Sequence, residues 1–472
     1  MSNKVAEQSS AVKAMSADIE LAATLMGGTR AIRAGGERYL PKMPAESQES
    51  YKRRLSKAVL YPAYSHTVET LTGKPFSKPI TYDKSVPERL KAWCKNDVDL
   101  QGRNLDTFAA DVFQEALALG LSGILVDFPK VDAGVVRTQA DEQAAGVRPY
   151  MVQIHPTQIL GWRATQKDGV WTFHMLRFME HITEDDGEFG EKVIEQVRVL
   201  TPGAWATFRK DDKENWVPHE SGLTTVKKIP FVPVYGKRIG FMLSKPPMIE
   251  LAHMNVEHYQ SSSDQQTILH VARVPILTAT GAGEDFKLEI GTASAVALKA
   301  GATLAYVEHS GAAIGAGKES ITALEERMRQ AGAELLVLPG GNMTATQVGT
   351  ENAVNMCALQ RIVQSAEDAL DLALQFMADW VGEAEGGTVT IFNDFAANSL
   401  AEASMQILVS MAGAGRLSDQ TLFKEAQRRG IITPDTDWET EKALIEEQGP
   451  PPGTLNDIPP PAPPAPPVPP SK

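Results

Sequence analysis

Met248 to Arg273 is the stretch that most limits what this chain can become. It shows no strand alternation and few breakers, so it reads as one long helix. Its middle, Gln260-Ser261-Ser262-Ser263-Asp264-Gln265-Gln266, is nearly all polar. A long helix that is polar on most faces either spans between domains or packs beside copies of itself. A second helix is expected over Glu319 to Leu336, with Ile321, Leu324, Met328, Ala331 and Leu335 at three- and four-residue steps. Between them, Pro275 to Gly317 holds seven glycines from Gly281 onward.

The strongest helical period follows, from about Ala353 to Val381. Leu359, Ile362, Val363, Ala366, Leu370, Ala373, Leu374, Met377 and Trp380 keep one face apolar. At 1.5 Å per residue the rod is about 40 Å long, well beyond an ordinary globular helix. Glu367, Asp368, Asp371 and Asp379 occupy its other faces. Before it lies a glycine- and threonine-rich loop, Pro339 to Gln347.

The N-terminal half changes character once. Ser16 to Met26 reads as a short helix, and Tyr39 to Lys42 as a turn. Glu46 to Leu71 reads as a helix that Pro62 breaks or kinks. Leu105 to Gly120 is a clearer helix, ended by Gly120 and Gly123, and Ile124 to Phe128 reads as a buried strand. Strand signals then dominate to about residue 236, from Tyr150–Ile154 through Trp171–Met175, Val193–Leu200 and Trp205–Phe208 to Phe231–Val234. Thr388 to Phe392 is a further strand, and Leu400 to Glu447 returns to short helices. These elements give an α+β fold.

Composition narrows the function. Of 472 residues, 43% are hydrophobic and 22% charged, which is globular. The net charge of −13 argues against a general nucleic-acid coat, because counterion-release binding needs clustered Lys and Arg. Glu351 to Glu447 has 17 acidic and 6 basic residues, so its −11 is most of that charge. Tyr51-Lys52-Arg53-Arg54-Leu55-Ser56-Lys57 is a compact basic run, read as a solvated helix face. Two distant cysteines, Cys94 and Cys357, exclude a disulfide framework and a cysteine zinc site. No run approaches the ~20 apolar residues of a membrane span, and no leader is visible, so a soluble intracellular protein is expected. Pro450 to Lys472 holds 12 of the 30 prolines and is expected to be an extended, disordered spacer.

Catalytic and metal signatures are mostly absent. Gly311 to Lys318 looks like a phosphate loop but puts five residues, not the required four, before Gly317-Lys318, and Glu319 stands where Ser or Thr should bind magnesium. It reads as a flexible loop entering a helix. His253 and His258 are five residues apart, which does not place both on one helix face, and they read as two partly exposed polar residues. Asp127, Asp132, Glu184, Asp185 and Asp186 are loop carboxylates with no assignable partner. No enzyme, cofactor or metal is expected.

The order of elements, with Tyr39-Leu40-Pro41-Lys42, the stretch from Arg54-Leu55 to Lys74-Pro75-Phe76-Ser77-Lys78-Pro79, His270-Val271-Ala272-Arg273-Val274-Pro275-Ile276-Leu277 and Val307-Glu308-His309-Ser310-Gly311-Ala312-Ala313-Ile314-Gly315, resembles the portal proteins of tailed bacteriophages, of the short-tailed-phage type. The resemblance covers roughly residues 35 to 395. It implies an N-terminal arm (1–35), a helical and β-rich wing (36–245), a first stem helix (246–274), a clip (275–317), a second stem helix (318–338), a channel loop (339–352), a long wing helix with a strand (353–395), a helical crown (396–449) and the proline tail (450–472).

What it implies about function is a ring of identical subunits, usually a dodecamer, at one capsid vertex of the virion. Double-stranded DNA passes non-specifically along its axis. The ring assembles in the host cytoplasm with the major capsid or scaffold protein; the terminase large subunit docks on it, and a head-completion or tail adaptor later. On this reading Gly340, Gly341, Asn342, Met343, Thr344, Thr346 and Gln347 line the channel. Lys318, Arg327 and Arg329 are the stem's candidate basic residues, read as ion-paired rather than DNA-bound. The competing reading is a non-enzymatic oligomeric adaptor or scaffold whose proline tail recruits partners.

Overall fold

The computed structural model describes residues 3–129, 147–272, 276–280, 301, 303–307, 312–336, 356–393, 408–428, 431–432 and 436–448. The chain forms two units, Met1–Asn393 and Asp394–Lys472.

Local signals set the N-terminal helices. Helix α1 (Ser10–Met26) begins six residues before the expected Ser16, because the Ser9 side chain accepts from the Val12 N–H and caps it. Helix α2 (Gly28–Ala34) follows directly. The expected 46–71 helix is two: α3 (Gln48–Lys57), capped by Ser47, and α4 (Ala63–Thr72). Ala58 is extended and Pro62 lacks a donor, so the ladder cannot run through. Strand β1 (Thr81–Tyr82) and helix α5 (Glu88–Asn96) lead to α6 (Leu105–Leu119), capped by Asn104.

Gly120 ends α6 with φ +89° and turns the chain into β2 (Leu121–Asp127). A Cβ at Gly120 would lie 2.4 Å from the Lys245 carbonyl carbon, so only glycine fits that junction. β2 is the centre of a three-stranded antiparallel sheet, between β3 (Tyr150–Ile154) and β9 (Phe231–Tyr235). On one face Ile124 and Val234 meet Ala109, Val112 and Phe113 of α6 and Ala366 and Leu370 of the long helix after residue 357. On the other, Phe231 packs edge-on against Phe173 of a second sheet. Covered on both sides, β2 is buried along almost its whole length, which is why Ile124, Leu125 and Val126 run consecutively apolar at its centre.

The second sheet is an antiparallel meander in chain order: β4 (Ile159–Lys167), β5 (Val170–Asp186), β6 (Gly190–Thr201), β7 (Ala204–Lys210) and β8 (Trp216–Leu223). Arg198 of β6 ties the two sheets together, with Nη1 2.5 Å from Asp127 and Nε 2.9 Å from Glu180. Asp127 and Glu184 are therefore partnered strand residues rather than free loop carboxylates; Glu184 holds Arg209 at 2.7 Å. Asp185 and Asp186 end β5, and Asp132 lies outside the described residues.

After the hairpin of β10 (Lys237–Gly240) and β11 (Leu243–Lys245) comes α7 (Ile249–Ala272), then the paired strands β12 (Ile276–Thr280) and β13 (Thr303–Val307), then α8 (Ala312–Ala333). Helix α9 (Ala358–Val381) buries its apolar stripe on β2 and β9. Two of the carboxylates on its other faces accept backbone N–H groups: Glu367 from Ile391 (2.7 Å) and Asp371 from Val389 (2.8 Å). They hold β14 (Val389–Thr390), which pairs with β1 from the other end of the unit. In the second unit, α10 (Asp419–Arg428) and α11 (Trp438–Gln448) meet through Phe423 and Trp438, ring centroids 5.2 Å apart.

Candidate functional site

Helix α7 explains its own polarity. It packs on α1, α3, α4 and α8, so no single stripe could be apolar. Instead its polar side chains are individually bonded. Asn255 is fully buried; its oxygen accepts from the Tyr64 N–H (3.0 Å) and its amide donates to the Tyr61 carbonyl (2.9 Å). Gln260 donates to the Tyr39 carbonyl (2.8 Å) and Gln265 to the Ile314 carbonyl (3.0 Å). His258 is buried, contrary to the sequence expectation, with Nε2 3.1 Å from Glu325 of α8 and its ring 5.1 Å from that of Tyr61. His253 stays exposed, and no group of three or more metal-ligating side chains forms among the described residues.

The basic run on α3 is split. Lys52, Arg53 and Lys57 are exposed as expected, but Tyr51 and Arg54 are buried. The Arg54 fork grips Glu46 through two bonds of 2.9 and 2.8 Å and donates to the Pro41 carbonyl at 2.7 Å. Its third nitrogen lies 3.8 Å from Asp264 of α7. The bond from Arg54 holds the Glu46 carboxyl below its ordinary range. Arg54 thus joins the α3 side to Asp264 of α7 while its fork holds Glu46, a bidentate geometry lysine could not supply.

The far half of the α7–α8 pair is different. Between Asp264 and Ala272, and between Ile314 and Ser320, no described residue is buried, and Ile268, Leu269 and Ile314 are left half-covered. The glycine-rich segment expected to be a flexible loop is helical from Ala312, so Gly315, Gly317 and Lys318 cannot cradle a phosphate. Gly317 has a packing reason: a Cβ there would lie 2.1 Å from Gln265.

The three basic candidates sit on α8. Lys318 is exposed. Arg327 reaches Glu257 of α7 at 3.7 Å, and Arg329 reaches Glu326 at 2.6 Å. The structure does not bring the three together on one another. Gly340, Gly341, Asn342, Met343, Thr344, Thr346 and Gln347 lie outside the described residues.

One polar cluster had no sequence signal at all. Glu115 on α6 is half-buried; the Ser122 hydroxyl donates to it at 2.6 Å, and His155 Nε2 stands 3.8 Å away. Burial pushes the Glu115 carboxyl up to about 7 and pushes His155 down. A glutamate at one position of an amphipathic helix looks solvated until the sheet beside it is known.

Residues 247–381 match a family described as a domain of unknown function, DUF4055. Solved structures similar to the chain include three from gene transfer agent (GTA) particles. A chain in the neck of the native particle, computed with C12 symmetry, is 12% identical with a TM-score of 0.41, over 79% of this chain and 89% of that one. One in the neck of the empty particle, computed with C6 symmetry, is 12% identical at 0.41, over 76% and 88%. One in the virion of the native particle is 12% identical at 0.41, over 84% and 97%. At those TM-scores the likenesses carry no argument about what this chain does. No curated protein matches the chain.

Proposed function

We propose that the chain is a phage portal protein: a non-enzymatic ring subunit at a capsid vertex that passes double-stranded DNA and docks the packaging and tail machinery. The observation that carries this reading is the half-covered far end of the α7–α8 pair, on which Ile268, Leu269 and Ile314 find no full cover among the described residues. Side-by-side copies around an axis would supply it, because heterologous contacts that close make rings. The order of elements supports the same reading: a wing with two sheets, two helices flanking the short β12–β13 pair, then a long helix returning to the wing core.

In this reading α7 and α8 are the stem, β12 and β13 belong to the clip, and Gly340 to Gln347 form the loop at the narrowest part of the channel. A conduit must not grip its cargo; duplex DNA carries one charge per about 1.7 Å, and a chain of net charge −13 with its stem arginines engaged by Glu257 and Glu326 avoids a sticky bore. Native mass spectrometry and negative-stain images of one purified peak test it. A ring of about a dozen copies with an axial hole is expected. A stable dimer without a hole would overturn the portal reading in favour of an adaptor.

A further inference from the structure

The five-stranded sheet leaves part of itself without neighbours. β4 pairs with β5 only between Val170 and Phe178, and β7 pairs with β6 only from Gln196 onward. From Met179 to Asp186 and from Gly190 to Glu195 the two strands have only each other in the ladder. Ile182 and Ile194 make one half-buried cross-strand pair; every residue from Thr183 to Val193 is exposed.

The tip of this hairpin breaks two local rules. Asp185 stands directly opposite Glu191, a like-charge pair that weakens a hairpin; the cation beside it, Lys192, stands opposite Glu184. Phe189, in the turn, is 92% exposed. Neither feature gains anything inside its own chain, and such positions are where function is expected.

The same chain carries a surface of the opposite kind. Arg53 and Lys57 lie one turn apart on α3, both exposed. Arg53 is engaged only by a solvent-exposed pair with Glu49 at 3.5 Å, a weak interaction that a partner can displace. The chain then leaves the helix extended at Ala58. Ala58 and Leu60 turn inward, while Val59 and Tyr61 face out at 55% and 47% exposure. The result is a basic helix face beside an apolar step, complementary in charge and in kind to an acidic tip that carries a phenylalanine.

We propose that the Phe189 tip of the β5–β6 hairpin of one protomer docks on the Val59–Tyr61 step and the Arg53–Lys57 face of a second copy of the chain. Two different patches make this contact heterologous, the kind that closes a ring. It rests on the ring reading above and names a contact between wings.

Charge exchange tests it, with the full-length chain and the concentration for half-assembly read by sedimentation. Arg53→Glu with Lys57→Glu, and separately Asp185→Lys with Glu188→Lys, should each raise that concentration by about tenfold or more, since like-charge juxtaposition is strongly unfavourable at an interface. Phe189→Ser should weaken assembly without moving the thermal midpoint. All four charge changes together should return assembly to within about threefold of the parent, because residues in contact couple. Normal assembly by either charge pair, or no rescue in the combination, overturns the contact while leaving a wild-type ring intact. Weakening by the hairpin pair alone assigns the tip to another partner and also overturns it. A parent chain that never assembles overturns the ring reading and this contact together.

Discussion

Single residues decide more here than their types suggest. Asn255 serves two backbone groups, the Tyr64 N–H and the Tyr61 carbonyl, the second of which also accepts from the Ala63 N–H. Asn255→Ala is expected to cost about 1–3 kcal/mol in urea unfolding, because the buried Tyr64 N–H loses its acceptor. Glu115 gives a pH signature. Burial raises its folded-state value from the ordinary 4.5 to about 7, so the unfolded chain gives up this proton first as pH rises. The group favours the native state fully below about pH 4.5, and that advantage is lost as pH climbs to about 7. Glu115→Gln, which keeps the oxygen facing Ser122, is expected to match the parent at acid pH and to exceed it by about 2 kcal/mol at pH 8. A parallel pH dependence in both proteins would refute the assignment. Neither residue was legible as a site: Asn255 is one of many polar residues on α7, and Glu115 one carboxylate on α6.

At the scale of elements, periodicity found helices and missed why their polar faces exist. α9 was readable from its apolar stripe, and its carboxylates could be placed only on the remaining faces. The structure shows Glu367 and Asp371, one turn apart, holding the N–H groups of Ile391 and Val389. Those bonds secure a two-residue strand that its neighbour β1 could not hold alone. Glu367→Ala with Asp371→Ala is expected to destabilise the unit by about 2–3 kcal/mol, with faster amide exchange confined to Val389 and Ile391. Unchanged exchange there would show that packing, not the carboxylates, holds the strand. The same lesson applies to α3, where one basic run divides into an exposed face (Lys52, Arg53, Lys57) and a buried clamp (Arg54). Burial, which sequence does not carry, separates the two.

For the whole molecule, charge is the property that bears on function. Arg327 and Arg329 of α8 face acids of the same chain, Glu257 and Glu326. On the portal reading proposed above, Arg327→Gln and Arg329→Gln should assemble normally and package DNA within about twofold of the parent, as expected for exposed pairs worth little individually. A collapse of packaged-genome yield with intact rings would assign them to DNA instead. That experiment is done in the assembling particle, where ring closure and packaging are read separately.

The sequence by itself determined what depends on near neighbours along the chain. Helix periods, the break at Pro62, the glycine stop after α6, the alternation of the meander strands and the unusual polarity of α7 are all local signals, and each appears where local physics puts it. Tertiary structure decided what depends on partners far away. Residue 81 pairs with residue 390, Tyr64 finds Asn255, Arg54 finds Glu46 and Asp264, and the Gln265 side chain of α7 lies against Gly317 of α8. A polar side chain reads the same in sequence whether water or a buried backbone group will satisfy it, and only the fold chooses between them.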